Sequence, residues 1–169
     1  RMGDFEDPKV MMKADIRILG VPMGIGGGKP GTAGGPRQAR EQALVQKLCE
    51  ALGEARVQDS GDVLSEDSED VSRLERAARW CSALKTRTAE IANARKRPLV
   101  IGGDHTLAAG SISGVATAHH ERGETIPGVL WIDAHVDMNT HETTPSGNPH
   151  GMSAAALLGL EVAHLSDVV

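Results

Sequence analysis

The chain has 169 residues, enough for one domain with a sizeable core, and its 40% hydrophobic and 24% charged residues are ordinary values for a soluble globular protein. A formal net charge of −5 gives nucleic acid or an anionic membrane surface nothing to hold, and no window is apolar for long enough to span a bilayer. The N-terminal residues carry no signal-peptide apolar core, and the two cysteines, Cys49 and Cys81, fall on helically periodic stretches, so a cytoplasmic protein with two buried free thiols is expected.

Residues 1–14 are polar and aperiodic and are expected to form a loose arm ahead of a single domain over 15–169. Asp15 to Val21 alternates and then runs apolar, as a strand entering a sheet covered on both faces does. Gly24 to Pro36 holds seven glycines and two prolines and must be a loop. Helical spacing returns from Arg37 to Leu52, and a short strand is expected around residues 55–57, before an acidic loop over 61–70. Val71, Leu74, Ala78, Cys81, Leu84, Thr88 and Ile91 mark a long amphipathic helix, stopped by Lys96-Arg-Pro98. Leu99 to Gly103 is a buried strand, Leu107 to His120 a helix of small residues, and Gly128 to Asp133 a second buried strand. A polar loop over 138–150 and a helix over 152–160 follow, and Val162 to Leu165 reads as the start of another strand, so the chain is expected to be truncated.

Strands alternating with helices predict an α/β fold, a mainly parallel sheet in a three-layer α/β/α arrangement. Ligands of such folds bind outside the carboxyl ends of the strands. Chemistry is therefore expected after Ile101 and Ile132. Asp104-His105 follows the first, and Asp133-Ala-His135-Val-Asp137 follows the second. Alternate positions of an extended segment put Asp133, His135 and Asp137 on one side, and His105 is expected to join them from the neighbouring strand. Two carboxylates with two imidazoles favour manganese or another hard to borderline divalent ion over structural zinc. Without a cation the two adjacent carboxylates are expected to repel and titrate upward. A phosphate-loop reading of Gly24-Ile-Gly-Gly-Gly-Lys29 fails, because the required glycine is Met23 and the required Ser or Thr is Pro30.

Gly102-Gly-Asp-His-Thr106, Trp131-Ile-Asp-Ala-His-Val-Asp-Met-Asn139 and, upstream, Ile18-Leu-Gly-Val-Pro22 with Gly35-Pro-Arg37 resemble the ureohydrolase superfamily over nearly all of residues 15–160. The loop Asn139-Thr-His-Glu-Thr-Thr144-Pro-Ser146-Gly-Asn148-Pro-His150-Gly is similar to the arginase pattern within it. The resemblance implies that Asn139, Thr144 and Ser146 contact a substrate α-carboxylate, that Asn148 helps hold the α-amino group, and that His150 shuttles protons. As a bare turn, Ser-Gly-Asn would need no such role. Asp104, beside a ligand, is given an orienting role.

The resemblance further implies a manganese-dependent hydrolysis of L-arginine to L-ornithine and urea. Two Mn²⁺ ions roughly 3.5 Å apart share a bridging water or hydroxide, and that hydroxide is the implied nucleophile toward the guanidinium carbon. It assigns His105, Asp133 and Asp137 to one ion and places Asp133 and His135 with the pair, Asp133 bridging; Asp137 is also counted with His150 in the catalytic set. Agmatinase-like hydrolysis and a non-catalytic metal-binding role are the alternatives. The family's third motif, a downstream pair of aspartates, is absent from these 169 residues, so weak metal binding and poor turnover are expected of the chain alone. Relatives are commonly trimers or hexamers, so a homo-oligomer is implied as well.

Overall fold

The computed structural model describes residues 15–66 and 68–169; the expected N-terminal arm over 1–14 lies outside the described residues. Strand β1 (Ile16–Val21) is the middle of a three-stranded sheet, flanked by β2 (Val57–Asp62) and β3 (Arg97–Gly102), both parallel to it. Ile18 lies opposite Asp59 on one side and Leu99 on the other. Ile18, Leu19 and Val21 are fully buried, each worth about 1.5–3 kcal/mol on transfer from water.

Successive β1 side chains alternate between two helical layers. Leu19 and Val21 pack with Ala77, Trp80, Leu84 and Ile91 of helix α3 (Arg73–Asn93). On the other face Gly20 leaves room for Pro36 and Arg40 of α1 (Gly35–Glu41), where a Cβ would lie 2.9 Å from the Pro36 Cβ. The expected single helix over 37–52 is two: α1 and α2 (Leu44–Leu52) are separated at Ala43, whose φ is 60°. Both have polar residues facing water at the break, so the hydrophobic pattern alone carries no sign of the turn. Strand β2 begins two residues later than expected, after a 3₁₀ turn over Glu54–Arg56.

Helix α3 starts at Ser72, whose hydroxyl accepts the Glu75 N–H at 3.1 Å. It ends when Arg95 turns left-handed at φ 58°, letting the Lys96 N–H reach the Ile91 carbonyl. Helix α4 (Leu107–Glu121) lies close against α3 because its facing residues are small. A Cβ on Gly110 would stand 2.3 Å from the Cys81 carbonyl oxygen, and one on Gly114 at 2.0 Å from the Thr88 hydroxyl. A second core joins Ala78 and Cys81 to Ala109, Met152, Ala155, Ala156, Val162, Leu165 and Val168. Cys81 is buried as expected, but Cys49 on α2 is half-buried, and both are free.

Two expected strands do not form. Residues 128–133 form no regular element and pair with no strand among the described residues, and Leu130 and Ile132 are 84% and 87% exposed. An apolar run becomes a strand only where neighbouring strands take its backbone hydrogen bonds, and here none is alongside. Residues 163–168 form turns, which leave Val162 and Leu165 in the second core. The final helix is short: a 3₁₀ turn over Pro149–Met152 leads into α5 (Ser153–Leu157).

Candidate metal centre

The β3 strand hands the chain directly to the site. Beyond Gly102, the Gly103 and Asp104 N–H groups donate to the Val21 and Met23 carbonyls. A Cβ on Gly103 would come within 2.1 Å of the Met23 oxygen, so glycine alone lets the two loops approach. His105 then projects at the carboxyl end of the sheet. Its Nδ1 lies 2.7 Å from Asp137 Oδ2 and 3.0 Å from Asp133 Oδ2, and its ring stacks at 4.7 Å on Trp131. The Ser153 hydroxyl donates to the His105 carbonyl, fixing the backbone behind it.

His105, Asp133 and Asp137 present one ligand atom each, all within 4.8 Å of one another. Two carboxylate oxygens converging on one imidazole nitrogen form a pocket of hard and borderline donors, which fits a divalent cation such as manganese. Asp137 is the most covered of the three, with a side chain 10% exposed.

His135 does not join them. The extended alternation expected over 133–137 is broken by a bend at Ala134 and His135. Asp133 Oδ1 accepts the His135 N–H at 2.7 Å, a local turn that aspartate favours, and this swings the His135 side chain out to 83% exposure. Asp137 in turn adopts a left-handed φ of 49°, which aspartate tolerates, and so its carboxylate comes back to His105. The same His135 N–H, aided by the nearby His105 and His135 rings, holds the Asp133 carboxyl below the usual carboxylate range. The upward titration expected of Asp133 is therefore reversed, because a backbone donor and two imidazoles outweigh the desolvation of its carboxylate.

A cleft of about 510 Å³ opens over the cluster, lined by His105, Asp133, His135 and Asp137 and also by Asn139 and His150. His150 is placed by its N–H, which donates to the Gly26 carbonyl at 3.1 Å, and Asn139 by its N–H to Gly151. The remaining loop polar groups serve the loop. Thr144 Oγ1 accepts the Gly147 N–H, and Ser146 Oγ accepts the Asn148 N–H. Asn148 Oδ1 accepts from Arg73 at 2.7 Å.

The sequence profile of the arginase family matches residues 14–168. The chain belongs to the arginase family. The arginase of Agrobacterium fabrum is 39% identical over 150 residues, 85% of this chain and 45% of its own length. Arginase-1 of Homo sapiens is 38% identical over 149 residues, 85% and 44% of the two chains. The crystal structure of arginase from Bacillus cereus superposes with a TM-score of 0.80 at 38% identity, covering 92% of this chain and 51% of that one. The chain thus spans about half the length of the relatives it matches.

Two residues of this arginase-family site take roles that the local sequence does not announce. Arg73, 75 residues before Asn148 and on another element, donates to both the Gly147 carbonyl and Asn148. Asp104 orients the glycine-rich loop rather than the adjacent ligand: its buried carboxylate accepts the Gly26 N–H at 2.8 Å and the Thr106 N–H and hydroxyl at 3.0 and 2.6 Å. Its place beside a ligand was the only signal for an orienting role, and the partner 78 residues away had none.

Proposed function

We propose that this chain builds one side of a manganese arginase site, which hydrolyses L-arginine to L-ornithine and urea. The observation that carries the reading is the single cleft that joins the His105, Asp133 and Asp137 group to Asn139 and His150. His105, Asp133 and Asp137 would hold the ion, with the exposed His135 beside them as a further candidate ligand. Bound manganese supplies Lewis acidity that activates water toward the guanidinium carbon. Asn139, Thr144, Ser146 and Asn148 offer neutral donors and acceptors to the zwitterionic end of the substrate, with Thr144, Ser146 and Asn148 exchanging their loop bonds for it. His150 lies near enough to the cleft to carry the proton to or from solvent, and an imidazole suits that work near neutral pH.

The donors that this chain supplies would hold a divalent ion from one side only, so the chain alone binds Mn²⁺ weakly and releases urea slowly. Urea release from L-arginine and from agmatine in Mn²⁺, with metal binding followed by the manganese EPR signal, tests the reading. L-Arginine is preferred by at least about a hundredfold, since agmatine leaves the carboxylate-binding groups unpaired. His105→Ala abolishes both binding and turnover. Equal efficiency on agmatine would defeat the substrate assignment, and metal binding untouched by His105→Ala would defeat the site.

A further inference from the structure

Arg73 is the first residue of α3, directly after the Ser72 cap. The N-terminus of a helix carries a partial positive charge, so a cation is disfavoured there and the helix itself gives no reason for one. Its contacts supply the reason. A single guanidinium nitrogen, Nη2, donates to the Gly147 carbonyl at 2.8 Å and to Asn148 Oδ1 at 2.7 Å. Within the stretch 144–148, Thr144 Oγ1 accepts the Gly147 N–H and Ser146 Oγ accepts the Asn148 N–H. Arg73 ties this self-bonded turn to another element. A guanidinium has donors only, so the Asn148 amide must face it with its oxygen. The other end of the amide, Nδ2, is thereby turned toward the glycine-rich loop, 3.8 Å from the position that a Cβ on Gly28 would take. Among the described residues, Nδ2 meets no acceptor and Arg73 pairs with no carboxylate.

We infer that Arg73 is a positioning residue that makes the loop selective for a substrate bearing an α-carboxylate. It holds the Asn148 oxygen, leaves the NH₂ free to donate, and keeps an unneutralised positive charge beside both. The inference rests on the arginase reading proposed above and changes the part that Asn148 plays in it. With its oxygen engaged, Asn148 meets substrate as a donor, which suits a carboxylate and does not suit an α-ammonium group. The bond from Arg73 crosses between elements, so it stays in place when substrate takes over the bonds within the loop. Agmatine ends in a cation where L-arginine carries the carboxylate; it gains nothing from the donor and is repelled by the guanidinium.

The test is urea release in Mn²⁺ from L-arginine and from agmatine by the unaltered chain, Arg73→Met, Arg73→Lys and Asn148→Asp. Arg73→Met keeps the side-chain stem and loses donors and charge. It raises KM for L-arginine by about tenfold, with kcat changed by less than about twofold and KM for agmatine no higher. Arg73→Lys, whose ammonium carries three donors, brings KM back to within about threefold of the original. Asn148→Asp keeps the bond to Arg73 and loses the free donor. It therefore resembles Arg73→Met on L-arginine, while amide exchange at Gly147 and Asn148 stays as slow as in the unaltered chain. A loop that is merely loosened raises both KM values together, and that result for Arg73→Met overturns the inference. So does an unchanged KM in Arg73→Met, or an Asn148→Asp chain that handles L-arginine as the original does. Urea from neither substrate defeats the arginase reading instead. The inference is then decided by nitrogen NMR of the Asn148 side-chain NH₂ in Mg²⁺. Millimolar L-arginine shifts that signal in the unaltered chain and not in Arg73→Met; a signal that ignores L-arginine in both overturns it.

Discussion

Replacing Asp104 with alanine isolates the contact that ties the glycine-rich loop to the metal motif. The carboxylate is 5% exposed and accepts three hydrogen bonds, from the Gly26 N–H and from the Thr106 N–H and hydroxyl. Its removal orphans two buried backbone donors, while the Thr106 hydroxyl is free to rotate. At about 1–3 kcal/mol for each orphaned donor, the loss is about 2–6 kcal/mol, a large share of the roughly 5–15 kcal/mol that holds a domain of this size folded. With a urea slope of about 1–3 kcal/mol per molar, the midpoint falls by about 2 M and the slope stays constant. Asp104→Asn keeps an acceptor for Thr106 but turns an NH₂ toward the Gly26 N–H, so it costs less, about 1–3 kcal/mol. Amide exchange supplies the second reading: Gly26 and, through its carbonyl, His150 lose protection in both variants. An alanine midpoint within about 0.3 M of the original would refute the hydrogen-bond argument. Unchanged exchange at His150 would refute the coupling of Asp104 to the substrate loop.

The helix contact between α3 and α4 predicts that Gly110→Val unfolds the chain or costs at least about 3 kcal/mol, since the new side chain meets Cys81 backbone at 2.3 Å and no flexible group can yield; circular dichroism in urea reads it. The Arg40 guanidinium holds the Asp59 carboxyl below its usual range through two hydrogen bonds, at 2.6 and 3.0 Å. The stabilisation from that depressed value is whole above the unfolded carboxylate's ordinary value near 4 and vanishes as pH falls through the folded value. Asp59→Asn therefore costs about 1 kcal/mol at neutral pH, a modest sum for a pair about a quarter exposed, and nearly nothing in strong acid; denaturant melts at the two pH values check the sign. Burial pushes the Cys81 thiol up to about 12, so iodoacetamide labels only Cys49 in the folded chain and both cysteines in denaturant, as mass spectrometry will count.

Much of the fold is local in origin and was legible in the residues. Ile16–Val21, the long α3 and the strand ending at Gly102 are where the apolar period places them, because short-range preference and burial agree there. The grouping of His105, Asp133 and Asp137 was also legible, since each follows an apolar run in the sequence, although only the run before His105 becomes a strand of the sheet. Tertiary structure alone decided three things. Residues 128–133 have the composition of a strand, yet a strand is a property of its neighbours, and among the described residues none lies alongside. His135 has the spacing of a ligand, but an Asp133 side chain that captures its own chain's N–H bends the segment and turns the imidazole away. Asp104 and Arg73 owe their roles to groups 78 and 75 residues distant, contacts that no period or local spacing records because only folding brings those atoms together.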